Sequence, residues 1–197
     1  MRLFLAVLIG ATAAGYAAGG RLRNVEHLRL RWWALAPAGL ALQLAPLTRT
    51  EGTARLVALG LLIASYVLLL GFATKNLQLP GFPMILVGLA MNLLVIAANG
   101  GMPVSCEAVQ RSGQPQLCAD LRREPALKHH LAGADDVLMP LGDVIPLGTP
   151  INQVVSIGDI VAYAGISWLL VASMRGRFRP APAPPTAHAL PGADPTR

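Results

Sequence analysis

The stretch LVALGLLIASYVLLLGFA, residues 56–73, decides the fold. It holds no charge, and only Ser65 and Tyr66 carry a polar side-chain group. An α-helix needs about 20 apolar residues to cross the roughly 30 Å of hydrocarbon in a bilayer. The stretch therefore reads as a transmembrane helix. The rest of the chain is read outward from it.

Four further runs have the same character: 3–20, 32–47, 82–98 and 154–174. The second is the shortest and bears Pro37 and Pro46. Pro37 falls in the first turns of that run, where a missing N–H costs least. Trp32 and Trp33 before it suit the headgroup level of a membrane. A re-entrant or interfacial helix is the other reading of 32–47. The run 82–98 is apolar except for Asn92, and 154–174 carries Asp159 near its start.

Composition agrees. The 197 residues are 54% hydrophobic and 13% charged, whereas a soluble domain carries about 25% charged residues. A chain this short cannot hide so much apolar surface from water in a core of its own. The expected fold class is all-α, an integral membrane bundle of about five helices with a structured extracytoplasmic loop at 99–153. The net charge of +6 would suit nucleic acid. The arginines instead gather at the ends of apolar runs, so the lipid bilayer is the expected partner and nucleic acid is not. A second membrane protein is a further candidate partner.

Those arginines also orient the chain. Arg21, Arg23, Arg29, Arg31, Lys75, Arg175, Arg177 and Arg179 fall on one side of a five-helix arrangement. Arg49 and Arg55 lie on the other side in the opposite short loop. The positive-inside rule then places the N-terminus outside and the C-terminus in the cytoplasm. Met1-Arg2 and the following apolar run could also open a signal peptide. Cleavage would send the arginine-rich 21–31 segment outside, against the same rule. The small residues Ala11, Gly15 and Gly19 share a face of the first helix and permit close packing. The proline-rich tail, 176–197, is too polar and broken for a core, and disorder is expected there.

The polar residues of interest are few. Cys106 and Cys118 are the only cysteines, and both fall in the outer loop. A disulfide persists outside the cytoplasm, and closing so short a loop stabilises by about 2–3 kcal/mol on the chain-entropy argument. Lys128, His129, His130, Asp135 and Asp136 form a polar cluster suited to zinc or to acid–base chemistry. Adjacent histidines on a helix would point about 100° apart, and no HExxH-type spacing occurs. A solvated loop is the plain reading, and no metal or cofactor is expected.

Asn92 and Asn99 lie two turns apart near one helix face. Asn92 should face a neighbouring helix and hydrogen-bond there, as should Gln43. Asn99-Gly100-Gly101-Met102-Pro103 ends its helix sharply. Asp143 and Asp159 each follow a glycine in the broken stretch 140–159. Asp159 is either a helix cap that gains from the dipole or a functional acid at the membrane.

Taken together, LRLRWWAL (28–35), LPG (79–81), NLLVIAANGGMPVS (92–105), KH (128–129), LGDVIPL (141–147) and SIGDI (156–160) make a pattern. The chain resembles a bacterial family of small multi-pass membrane proteins of unknown function. The resemblance implies an integral membrane protein and brings no reaction and no catalytic residues. The cysteine pair and the proline-rich tail stand outside the pattern.

Two functions from different classes follow. The leading expectation is a scaffold, assembly factor or binder that works through the outer loop. The alternative is an envelope- or lipid-modifying enzyme at the outer leaflet, with His129 or His130 as base and Asp143 or Asp159 as its partner. A small transporter is third, since only Asn92 and Gln43 place polar groups in mid-membrane. The candidate polar site is Asn92, Asn99, His129, Asp143 and Asp159. For an enzyme, the histidine and the acids must converge in one cleft.

Overall fold

The computed structural model describes residues 2–43, 53–123 and 128–178. The chain is mostly helical. Helices α1 (Arg2–Ala17), α2 (Leu35–Gln43), α3 (Thr53–Lys75), α4 (Phe82–Asn99) and α7 (Ile157–Met174) form the bundle. Three of them are long and apolar enough to cross a membrane: α3 over Arg55–Lys75, α4 and α7. Helix α1 is apolar but shorter, and α2 is nine residues long.

The helices end where the sequence lets them. Helix α4 starts after Gly81 (φ +87), with Pro83 in its first turn, and stops at Gly100, whose left-handed φ of +66 any side chain would resist. The Gly101 N–H then returns to the carbonyl of Ile96. The far end of α7 is tied down from elsewhere: its terminal Met174 carbonyl accepts from the Arg21 N–H at 2.8 Å and from Asn24 Nδ2 at 2.6 Å. Buried Asn76 grips residue 31 with both ends of its amide, accepting from the Arg31 N–H and donating to the Arg31 carbonyl.

These contacts fix two ends of the bundle. One gathers Leu3, Gln43, Arg55, Asn99 and Ser156; the other gathers Ala17, Leu35, Lys75, Phe82 and Met174. At the second end Lys75 Nζ lies 4.6 Å over the ring of the exposed Trp32. The most extensive packing is between α4 and α7, followed by α2 on α3, then α1 on α7 and α3 on α4. Gly88 and Gly158 bring α4 and α7 almost into backbone contact: a Cβ at either position would strike the other helix. Close approach of this kind is how apolar helices associate where the hydrophobic effect gives no drive.

Residues 100–123 and 128–155 fold over the first end as a cap. Strand β1 (Met102–Val104) pairs in parallel with β2 (His129–Leu131). Strands β3 (Ile145–Leu147) and β4 (Gln153–Val155) form an antiparallel hairpin. Between β1 and β2 lie helices α5 (Cys106–Arg111) and α6 (Pro115–Arg123). They share a small core with Val104, Val109, Cys118 and Leu121. The sulfurs of Cys106 and Cys118 are joined across it, with Cα atoms 5.5 Å apart, a usual separation for a bridge.

The structure corrects several sequence boundaries. The run 3–20 is helical only to Ala17, and Gly19 (φ +76) is a turn with open space around it; Gly15 and Gly20 are the residues that meet Met174. The run 32–47 begins as a turn at Trp32 and is helical from Leu35, and its residues 44–47 lie outside the described residues. In the run 154–174, Val154 and Val155 are strand, and α7 starts only after Ser156. The all-α expectation holds for the bundle but not for the cap, whose four strands of three residues each are too short to show a two-residue period. The tail beyond Phe178 lies outside the described residues.

Candidate functional site

Strand β1 is the spine of the site. On one edge the Met102 N–H donates to the Lys128 carbonyl, and Met102 stands opposite His129. On the other edge the Asp143 N–H donates to the Pro103 carbonyl, and the Ser105 N–H donates to the Asp143 carbonyl. One strand thus holds the histidine segment and the Gly142-Asp143 turn on either side of itself. The β3–β4 hairpin then leads from Asp143 to Ser156, the N-cap of α7, and so to Asp159.

A cavity of about 280 Å³ lies where the cap meets the bundle. Its polar wall is Gln43, Asn92, Lys128, His129, Asp143, Gln153 and Asp159, with Tyr66 and Tyr163. Its apolar wall includes Leu3 and Ile96. Four of the five residues proposed from sequence therefore meet here. Asn99 does not: its side chain accepts from the Val137 N–H at 2.8 Å and donates to the Val137 carbonyl at 2.9 Å, which ties the cap to the end of α4.

Asp159 is held as a charge would be. Asn92 Nδ2 donates to its Oδ1 at 2.7 Å, and the Ser156 N–H donates to its Oδ2 at 3.2 Å. Ser156 Oγ donates to Asn92 Oδ1 at 2.9 Å and accepts from the Asp159 N–H at 3.0 Å. The acid thus completes a capping box and also faces the cavity. Of the two sequence alternatives, the helix cap is the one seen, and the same carboxyl lines the cavity.

Lys128 Nζ donates to Gln43 Oε1 at 3.0 Å, and Gln43 Nε2 donates to Ser65 Oγ at 2.9 Å. Burial lowers the pKa of this lysine, against the opposing pull of Asp159 and Asp143. His129 Nε2 is 3.6 Å from Asp143 Oδ2. That is longer than a direct hydrogen bond, so neither group is committed to the other. Burial in the cavity wall, then Lys128 and His130, push the imidazole down to about 4. Burial, then the negative charge of Asp159, push Asp143 up to about 7, with Lys128 opposing. At neutral pH His129 is uncharged, and Asp143 is the group that can both take and give a proton.

His130 is turned away. Successive side chains on a strand point to opposite faces, so β2 sends His129 into the cavity and His130 outward. There His130 Nε2 meets Asp136 Oδ1 at 2.9 Å, and Asp136 Oδ2 accepts from the Gly133 N–H. Burial would raise Asp136, but those bonds hold it below the usual carboxylate range. Asp135 is exposed. Sequence reasoning named Lys128 in this cluster without placing it in a site. It missed Gln153 and the two tyrosines outright, because nothing in the spacing of β4, α3 and α7 shows which faces turn toward the cap.

The sign of the Asp143 shift gives a pH prediction. Its folded pKa, about 7, lies above the ordinary 3.8. Between those values the folded chain keeps a proton that the unfolded chain has lost, so this group's contribution falls as pH rises from about 4 to about 7. Asp143→Asn removes the group. The variant is therefore expected to match the wild type near pH 4 and to exceed it by about 1–3 kcal/mol at pH 8. Thermal unfolding in detergent across that range measures the difference.

Fold and site together define a helical protein with apolar membrane-length helices and a polar cavity beneath a cap. The chain belongs to the family of unknown function DUF5317, which it matches over residues 27–171. That span takes in all of the cavity lining except Leu3. No curated protein and no solved structure matches the chain.

Proposed function

We propose that the chain is a five-span membrane protein that binds a small polar group in this cavity and exchanges a proton with it through Asp143. Its N-terminus and cap lie outside the cytoplasm and its C-terminus inside. The observation that carries the reading is convergence. Asn92, Lys128, His129, Asp143 and Asp159 come from two helices and two cap segments, yet line one cavity. A scaffold that works by its outer surface needs no such interior.

Three facts support the topology. The described helices alternate in direction between the two ends. Arg21, Arg23, Arg29, Arg31, Lys75, Arg175 and Arg177 all lie at the end away from the cap. Trp32 and Trp33 are exposed at that same end, as an interfacial belt would be.

The roles follow from the environments. Lys128 offers a positive charge to an anionic group. Asp159, fixed by Asn92 and its own helix terminus, offers a negative one. His129, kept neutral, can donate or accept a hydrogen bond without changing charge. Asp143 titrates near the working pH, which is where acid–base exchange is most efficient. This reverses the sequence expectation of a histidine base with an acid as its partner.

Extraction of the bound small molecules from purified protein tests the reading. Wild-type chain is expected to carry a polar molecule that Lys128→Met and Asp143→Asn both lose at unchanged helicity. The same molecules in all three preparations would sink it.

A further inference from the structure

The cavity wall is built from helices that do not close on each other. Leu3 of α1 and Gln43 of α2 both line it. Among the described residues α1 packs on α7 and α2 packs on α3, and α1 and α2 do not form a packed pair. Phe4 and Leu5 of α1 and Leu40 of α2 are exposed apolar side chains. A gap of this kind between two apolar helices is a seam through which a polar cavity reaches lipid. A soluble ligand has no use for such a seam. A lipid does: its headgroup can lie in the cavity while its chains stay against α1 and α2.

The charges inside select among headgroups. Lys128 stands beside the seam, one of its three N–H donors committed to Gln43. Asp159 is held by Asn92 and Ser156, residues of α4 and of the α7 N-cap. A headgroup with one anionic and one cationic centre meets both. A purely anionic headgroup would face two carboxylates with a single lysine, and a purely cationic one would face the lysine unpaired. Asp143 and His129 between them favour a cation that carries N–H donors over a quaternary ammonium. About nine water volumes fit in the cavity, enough for a compact headgroup and too few for a sugar chain.

Resting on the cavity reading above, we infer that the site takes a phosphate–primary amine zwitterion, delivered through the α1–α2 seam as the headgroup of a membrane phospholipid. The phosphate lies against Lys128 and the ammonium against Asp159, with Asp143 and His129 beside the ammonium.

The test uses the full chain in nanodiscs of phosphatidylcholine doped equally with phosphatidylethanolamine and phosphatidylglycerol, followed by native mass spectrometry. The wild type is expected to retain phosphatidylethanolamine at least about tenfold over either other lipid. Lys128→Met and Asp143→Asn, checked for unchanged helicity by circular dichroism, are expected to lose that preference. Leu40→Lys, one turn from Gln43 on the exposed apolar face of α2, should weaken it with the cavity intact. Equal retention of all three lipids overturns the inference, as does a preference that survives Lys128→Met. Retention of soluble phosphoethanolamine without the lipid overturns the membrane route. A different polar molecule, lost with Lys128 or Asp143, would overturn the zwitterion and leave the cavity reading standing.

Discussion

Asn92→Ala is expected to lower stability by about 2–4 kcal/mol and to abolish ligand retention. Neutral hydrogen bonds between membrane helices average only about 0.6 kcal/mol, so a single lost amide would ordinarily matter little. This one is different in kind. Its Nδ2 is the donor that α4 offers to the Asp159 carboxylate, and its Oδ1 accepts from Ser156 Oγ. Asn92 itself is buried. Truncation removes a bond to a charge, worth about 1.5–3 kcal/mol, and leaves a buried hydroxyl and a carboxylate oxygen short of a partner. Asn92→Asp should be no better, because it sets a second carboxylate against Asp159. Melting temperatures of both variants in detergent, beside ligand retention, check the prediction. An Asn92→Ala protein as stable as the wild type would mean that the network is not formed in the membrane.

Gly158→Ala is expected to cost about 2–3 kcal/mol, although alanine is the better helix former by about 1 kcal/mol. A Cβ at 158 would meet the Asn92 amide and, at 2.8 Å, the Gly88 carbonyl. The obstacle is partly backbone, so relief requires α4 and α7 to separate, and overpacking of this sort costs about 1–3 kcal/mol. Separation also pulls Asn92 away from Asp159. The control is Gly60→Ala in α3, where a Cβ meets nothing within 4 Å. That substitution should raise stability slightly. Opposite signs at two helix glycines, read from thermal melts of the same preparation, would separate packing from helix propensity.

What the sequence revealed and what it hid have the same physical cause. Helices α3, α4 and α7 were legible because lipid demands long uncharged runs, and 56–73, 82–98 and 154–174 show them to within three residues at each end. Asn92 and Asp159 stood out because polar groups in such runs are costly and need partners. The capping role of Ser156 and the packing of Gly88 on Gly158 were not legible, because small residues look alike whether they pack or merely fill. The cap was harder. Its strands are three residues long, and His129 and His130 could be told apart only once β2 had a face. Asn99 shares a helix face with Asn92 by period, but two turns of rise carry it out of the cavity and up to Val137. Lys128 looked like part of a solvated cluster until α2 brought Gln43 to it.

The account stands on His129 and Asp143 sharing one cavity. The direct measurement is the protonation of His129 by nitrogen-15 NMR of the full chain in nanodiscs, assigned with His129→Gln. The ring is predicted to stay neutral through pH 6 and to protonate near pH 4. A midpoint near the ordinary 6.5 would contradict it.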